Sequence, residues 1–241
     1  MLPALLLLSM DAVAQQGGDL QARISYAYET EDNNSLTALI QNLAAQVNSD
    51  AADLALRYHL AHAQYRMGQM QGAAHPSEAQ AALADCVDQL KPVLQQDVKS
   101  VEALALQSAC YSELAHYRKF EAVLLRSRAA ERLNAAFKLA PRNPRVVFLS
   151  SQEELERGKP GGAESLHAFA QLQLAAQLFD ESSATSIDAP GWGHAEAYLA
   201  LGRELQARGD RLGARNWIEK SLIVAPDFKA ARRQLTLLVR P

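Results

Sequence analysis

Apolar residues recur at helical spacing along most of this chain, most clearly between residues 194 and 226. The first helix of that stretch places its contact residues at i, i+3, i+4 and i+7, which is one helix face: Tyr198, Leu201, Gly202, Leu205. A Gly-Asp pair breaks the pattern, and a second helix follows that is marked by Ala214, Ile218 and Ser221 and stopped by Pro226. The stretch therefore predicts two antiparallel helices joined by a short turn.

This helix pair follows a known order of large and small residues. A large residue, then Leu-Gly, another large residue, Ala and a closing Pro over about 34 residues is the tetratricopeptide-repeat (TPR) pattern. Gly202 and Ala214 are small enough for the two helices to approach closely, and Pro226 ends the second helix. Ser221 stands where the pattern usually has Ala. The sequence thus predicts an all-α fold, a right-handed superhelical TPR solenoid of antiparallel helix pairs.

The same register recurs upstream in weaker form and divides the chain. Ala and Leu dominate, while Gly and Pro number only 12 and 9, a composition that favours helix. We predict an N-terminal pair of capping helices within 15–50 and a C-terminal capping helix within 227–241. Degenerate repeats are predicted between the caps, at about 51–96, 101–141, 143–180 and 195–226.

The last third of the chain carries a more specific arrangement than a generic repeat. Gly161-Gly162 precede an Ala-rich helix ending in Phe179, and Pro190 and Trp192-Gly193 precede the final repeat with its Pro226-Asp227-Phe228 ending. Over roughly residues 141–228 this resembles a bacterial family of exported TPR proteins. The resemblance implies the fold and export, and it carries no assigned activity.

The first residues, MLPALLLLSMDAVAQQ, combine a short Leu-rich run with small residues at 12–14. We interpret 1–14 as a secretory signal and expect a periplasmic protein, although the leader lacks Lys and Arg and places Pro3 early. An apolar N-terminus of a cytosolic protein is the alternative. The run is too short to cross a bilayer, which needs roughly 20 apolar residues, so no transmembrane segment is expected.

The charge and motif content argue against nucleic-acid binding and catalysis. The net charge is −3 and no long basic block occurs, so binding to nucleic acid has little support. Lys159 in the GKPGG stretch is followed by Pro rather than Ser or Thr, so this is a turn and not a phosphate loop. We expect no enzyme activity and no cofactor.

Two cysteines occur, Cys86 and Cys110, and each lies about 12 residues from the predicted turn between their helices. In an antiparallel pair these positions have the same height, so a disulfide is geometrically feasible in an oxidising compartment. Pro92 threatens the match by kinking the first helix. Two small buried residues without a bond are the alternative.

Two further features each have a structural and a functional interpretation. His59 and His62 lie on one helix face, which fits packing better than a metal site because no third ligand is evident. Trp192 precedes a helix, where an aromatic residue often packs back onto the first turn. The alternative is that Trp192 closes over a ligand.

Our leading hypothesis is a non-catalytic scaffold that binds a protein or peptide in the concave groove of the solenoid. In the usual register, exposed inner positions line that groove; with Trp192 they give the candidate site His59, Arg66, Leu149, Glu153, Arg157, Trp192, Leu199, Arg203. The alternative is a small-molecule-binding component of an envelope transport system, with a pocket near Trp192. A homo-oligomer is also possible, because Leu235, Leu237 and Leu238 lie in the terminal helix.

Overall fold

The computed structural model describes residues 18–158, 162–183 and 190–239, and every regular element within those ranges is an α-helix. The predicted all-α class is therefore confirmed. The helices are α1 (18–29), α2 (Asn33–Ser49), α3 (Leu54–Gln71), α4 (Pro76–Gln96), α5 (Val101–Tyr117), α6 (Ala122–Leu139), α7 (Pro144–Arg157), α8 (Ala163–Ser183), α9 (His194–Ala207), α10 (Arg211–Val224) and α11 (Lys229–Val239).

Short polar side chains fix where several helices begin. The Asp53 carboxylate accepts the Leu56 backbone N–H at 2.9 Å. The Asp210 carboxylate accepts the Gly213 N–H at 2.8 Å. These bonds satisfy N–H groups that have no partner in the first helical turn. Pro144 adds a second signal at the first position of α7, where a proline loses no hydrogen bond.

Consecutive helices pack as pairs: α3 with α4, α5 with α6, α7 with α8, and α9 with α10. Within the last pair, a Cβ at Gly202 would lie 2.5 Å from Ile218 Cγ1 and 3.0 Å from the Ala214 carbonyl oxygen. The predicted close approach at Gly202 is therefore confirmed. Gly68 has the same role in α3, where an added Cβ would lie 2.5 Å from Leu83 Cγ.

Two buried serines join the paired helices by hydrogen bonds. Ser221 on α10 donates to the Ala195 carbonyl oxygen on α9 at 2.8 Å. Ser108 on α5 donates to the Ala129 carbonyl oxygen on α6, also at 2.8 Å. The departure from Ala at position 221 thus has a physical reason, because the hydroxyl has an acceptor on the partner helix.

Cys86 and Cys110 form a disulfide that joins α4 to α5, with 6.4 Å between the Cα atoms. The bond links two adjacent helix pairs. Pro92 lies inside α4 and does not separate the two cysteines.

The two ends of the described chain lie against each other. The Tyr28 ring on α1 is 5.9 Å from the Phe228 ring, just before α11. Glu31 forms an ion pair with Arg233 on α11. Gln21 on α1 also accepts a hydrogen bond from the Gly191 backbone N–H. The first helix is therefore packed near the last helix pair, about 200 residues later in the chain.

Some sequence expectations differ from the structure or lie outside it. Helix α8 continues to Ser183, so the start of the predicted polar connector at 180–193 is helical. The signal at 1–14, residues 159–161 of the glycine-rich turn, and residues 184–189 lie outside the described residues. On α11, Leu238 is buried and Leu237 is 54% exposed.

None of the described helices is both long enough and apolar enough to cross a bilayer.

Candidate functional site

A cavity of about 310 Å³, partly open to solvent, lies between α3, α5, α7 and α9. Residues from α1, α6 and the α10–α11 region complete its wall. The aromatic side chains of its wall are Tyr28, Tyr65, Phe148, Trp192 and Phe228. Its carboxylates are Glu113, Glu153, Glu156 and Glu196, and its basic side chains are Arg66, His116 and Arg203. The volume is at the lower end of the range for small-ligand sites, which runs from about 300 to 1,000 Å³.

A buried ion pair between Arg66 on α3 and Glu196 on α9 closes one side of the cavity. Arg66 is only 2% exposed, and its guanidinium also donates to Gln69 at 2.8 Å and lies 4.1 Å from the centre of the Tyr28 ring. Glu196 additionally accepts the Gly193 N–H at 3.1 Å. One carboxylate thus caps α9 and binds α9 to α3.

A second ion pair, partly buried, joins Glu102 on α5 to Arg145 on α7. Two guanidinium nitrogens of Arg145 donate to the Glu102 carboxylate at 2.6 and 2.8 Å. A third nitrogen donates to the Pro190 carbonyl oxygen at 2.7 Å, so Arg145 also fixes the entry to α9. Neither residue of this pair is among the site residues that the sequence predicts. A signal was available, because both residues lie in the first turn of consecutive inner helices.

Trp192 is buried against α3. Its indole N–H donates to the Tyr58 hydroxyl oxygen at 3.1 Å. Its ring lies 5.8 Å from the His62 ring, and it is 2% exposed. Trp192 therefore packs across the molecule onto α3, a contact that the sequence does not predict. Trp192 also forms part of the cavity wall, which is where the alternative interpretation from the sequence places it.

The turn at Trp192 requires the glycine that follows it. Gly193 has φ +102, a left-handed conformation that other residues rarely adopt. A Cβ there would also lie 2.7 Å from Phe179 Cζ. The Trp-Gly pair thus places the indole on α3 while the backbone turns into α9.

His59 and His62 are buried packing residues of α3. Burial lowers the pKa of His62 well below its ordinary value, and the nearby Arg66 and Arg145 guanidinium groups lower it further. His62 is therefore neutral at physiological pH. In the described part of the chain, no group of three or more His, Cys, Asp or Glu residues is placed to hold a metal ion.

Six of the eight predicted groove residues lie on the cavity wall: Arg66, Leu149, Glu153, Trp192, Leu199 and Arg203. His59 and Arg157 do not. The expected exposure is wrong for His59, Arg66 and Leu199, which are all buried. The inner helices contact one another more closely than an open groove allows, and a smaller internal space remains.

Burial raises the pKa of two carboxylates in this region, Glu113 and Glu29. At Glu113, the nearby His116 and a hydrogen bond from Gln69 only partly oppose this effect of burial on the pKa. Burial and the neighbouring Glu196 raise the pKa of Glu29, beside Tyr28, to about 7. Two buried donors at the wall, Arg66 Nε and Gln152 Nε2, have no hydrogen-bond acceptor within the described protein.

No known protein family matches this chain, and no curated protein matches it. The site is therefore interpreted from its own geometry.

Proposed function

We propose that this chain is an exported, non-catalytic TPR-type protein whose central cavity binds a small ligand. The observation that carries the proposal is the cavity itself, which is bounded on one side by the Arg66–Glu196 ion pair and the buried Trp192. The wall combines apolar and aromatic side chains with charged and amide groups, and a concave site that offers both can hold and orient a small molecule.

The contacts between inner helices favour this role over binding of an extended peptide. Arg66, Glu196 and Trp192 connect α3 to α9 across the surface that a peptide would have to follow. A peptide along that surface would have to break a buried ion pair, which is costly. A small ligand can occupy the cavity while the Arg66–Glu196 ion pair and the contact of Trp192 with α3 remain in place.

Several features support the proposed TPR architecture and the proposed export. The four helix pairs and the close contacts at Gly68 and Gly202 fit a right-handed solenoid of antiparallel pairs. The Cys86–Cys110 disulfide fits an oxidising compartment such as the periplasm. The buried charges Arg66 and Glu196 are engaged with each other, which suits holding a ligand rather than transforming it.

The test is a thermal-shift and tryptophan-fluorescence screen of the full chain against neutral, cationic and anionic metabolites. We compare the wild type with Ser112→Phe, which fills the cavity from its wall, and with Ser127→Phe on the exposed face of α6. Compounds that stabilise the wild type and Ser127→Phe should have no effect on Ser112→Phe, provided that circular dichroism shows it folded. A screen without any binder, or equal binding by Ser112→Phe, would overturn the proposal.

A further inference from the structure

The turn between α5 and α6 carries an exposed group of apolar side chains. Phe120 lies in the turn and is completely exposed, and the exposed fractions of Val123 and Leu124, in the first turn of α6, are 83% and 50%. Glu121, between them, has backbone angles near those of a helix, so the spacing i, i+3 and i+4 brings the three side chains together. We call Phe120, Val123 and Leu124 the turn patch. Adjacent exposed apolar residues, unlike single ones, indicate an interaction site.

The segment that contains the turn patch is basic. Residues 118–132 contain five basic and two acidic side chains, although the whole chain has a net charge of −3. One of the two acids, Glu121, lies 3.8 Å from Arg118. In the part of the chain that the structure describes, Lys119 and Arg126 form no ion pair. Their charges are therefore available to a partner outside the molecule.

Helical spacing places basic side chains on both sides of the turn patch. Arg126 follows Val123 by three residues, and Arg128 follows Leu124 by four. Residues at these spacings are neighbours on a helix surface. Lys119 immediately precedes Phe120 in the turn. The apolar side chains thus have a cationic border.

The acidic groups of the region lie farther from the turn patch or face another way. Glu131 is about two helical turns beyond Leu124 on α6. The last turns of α5, on which α6 packs, contain Glu113 and His116, and both line the central cavity. The border of the turn patch therefore keeps its positive charge.

This surface fits an anionic lipid bilayer better than a protein partner. A stable protein interface buries about 800 Å² on each side and needs a complementary shape, and three side chains at one turn offer much less. The headgroup region of a bilayer accepts protruding apolar side chains without a matching shape. Anionic headgroups also attract the Lys and Arg side chains beside them.

We propose that the α5–α6 turn docks on the surface of an anionic phospholipid bilayer. The turn patch enters the headgroup region, and Lys119 and Arg126 contact the lipid phosphates. These residues lie outside the cavity wall, so this binding is additional to the proposed ligand binding and does not depend on it.

The first experiment is flotation of the full chain with two kinds of vesicle, one of phosphatidylcholine alone and one with about a third of phosphatidylglycerol. We expect at least about tenfold more bound protein with the anionic vesicles, since each basic side chain near the surface contributes about fivefold. Salt at about 0.5 M should reduce this binding at least about fivefold, because it screens exposed charges. Absence of binding, or equal binding to both vesicles, overturns the inference.

A matched pair of double variants tests the apolar side chains. Phe120→Ser with Val123→Ser should reduce binding to anionic vesicles at least about fivefold. The control is Ile223→Ser with Val224→Ser at the end of α10, where the exposed fractions are 78% and 43%. Residues 216–230, a segment of the same length, contain two basic and two acidic side chains, so the control should retain binding within about twofold.

A second matched pair tests the charges. Lys119→Gln with Arg126→Gln should reduce binding at least about tenfold. Lys99→Gln with Lys229→Gln removes two exposed charges elsewhere and should reduce it less than about threefold. Any contribution of residues 1–17 is the same in all variants, so each comparison isolates the named side chains.

Two results would contradict the inference although vesicles are bound. If the charge variants lose binding and folded Phe120→Ser with Val123→Ser does not, the contact is electrostatic and the turn patch has no part in it. If each double variant binds like its control, another surface is responsible. Analytical ultracentrifugation covers the remaining occupant: a wild-type dimer that the serine variant abolishes, without vesicle binding, assigns the turn patch to a second copy and overturns the inference.

Discussion

Arg66 and Glu196 form a buried ion pair although they are 130 residues apart in the chain. The pair joins the third and ninth helices and closes one side of the cavity. A structure in which each repeat contacts only its neighbours has no such bond. The stability of this protein therefore depends on contacts between distant segments as well as on the repeat interfaces.

Replacing only one of the two residues of this ion pair should destabilise the protein strongly. Arg66→Met leaves the Glu196 carboxylate without its cation, and Glu196→Gln leaves a buried guanidinium without its anion, so each should lower the unfolding free energy by about 2–4 kcal/mol. The double variant should lose clearly less than the sum of the two, with a coupling of at least about 1 kcal/mol. Urea unfolding of all four proteins measures this cycle.

The exposed Arg215–Glu219 pair provides the control for that cycle. Both side chains are more than 40% exposed, and their closest nitrogen and oxygen atoms are 2.7 Å apart. Arg215→Met should change the unfolding free energy by less than about 0.5 kcal/mol. Strict additivity of the Arg66 and Glu196 changes would show that the two residues do not stabilise each other.

Loss of the Cys86–Cys110 disulfide should lower stability without changing the fold. The bond closes a segment with a sequence separation of 24 residues, so the double change to Ala should cost roughly 3 kcal/mol, mainly by freeing the unfolded chain. Differential scanning calorimetry with and without dithiothreitol measures the effect. Reductant should lower the Tm of the wild type and leave the Tm of the double variant unchanged. If dithiothreitol, added under mildly unfolding conditions, left the Tm of the wild type unchanged, the result would argue against the Cys86–Cys110 disulfide.

Gly202→Ala should destabilise the protein even though Ala favours helix. The new methyl group would lie 2.5 Å from Ile218 Cγ1, so α9 and α10 must separate or Ile218 must move, at an expected cost of about 1–3 kcal/mol. The gain in helix propensity of about 1 kcal/mol offsets only part of this. Chemical denaturation gives the difference, and Ser127→Ala on the exposed face of α6 should be neutral or slightly stabilising. An increase in stability for Gly202→Ala would show that the helices tolerate a wider spacing.

Glu29 makes the stability of the protein depend on pH. Its pKa is about 7 in the folded protein, compared with an ordinary value of 4.5, because burial and the nearby Glu196 disfavour the carboxylate. The protonated group stabilises the fold fully below pH 4.5, and this contribution is lost as pH rises through 7. Between pH 4.5 and 8, the unfolding free energy of Glu29→Gln should rise by about 1–2 kcal/mol relative to that of the wild type. This is less than the whole pKa difference would give, because solvent screens this half-buried group.

The measurement for Glu29 is urea unfolding of the wild type and the variant at half-unit pH intervals. Glu131→Gln is the exposed control, and its difference from the wild type should stay constant over the series. Parallel curves for Glu29→Gln and the wild type would contradict the raised pKa.

The parts of the fold that the sequence predicts well depend on local spacing. Helical periodicity and the Asp, Pro and Gly signals give the helix pairs, and the small residue at Gly202 marks the close contact with α10. The possible bond between Cys86 and Cys110 follows from equal distances to one turn. Each of these features involves only one helix and the next helix in the chain. A short segment of sequence is therefore enough to predict it.

The cavity could not be predicted in the same way. Contacts such as Trp192 with Tyr58, and Arg66 with Glu196, depend on small rotations accumulated over several helix pairs. The local sequence pattern contains no information about these accumulated rotations. From the repeat register alone, the sequence therefore predicts that the inner positions face an open groove. The burial of Arg66 was also unexpected because an arginine at an inner position is usually exposed.

The contact between Tyr28 and Phe228 affects how the chain can reach its native state. A linear repeat array folds and unfolds from its ends, since each terminal unit has only one neighbour. Here the first helix is made long before its partner near the C-terminus, and it must remain incompletely packed until the last helices arrive. Synthesis from N- to C-terminus therefore leaves the native structure unfinished until its final residues, and contacts of such long sequence separation slow folding.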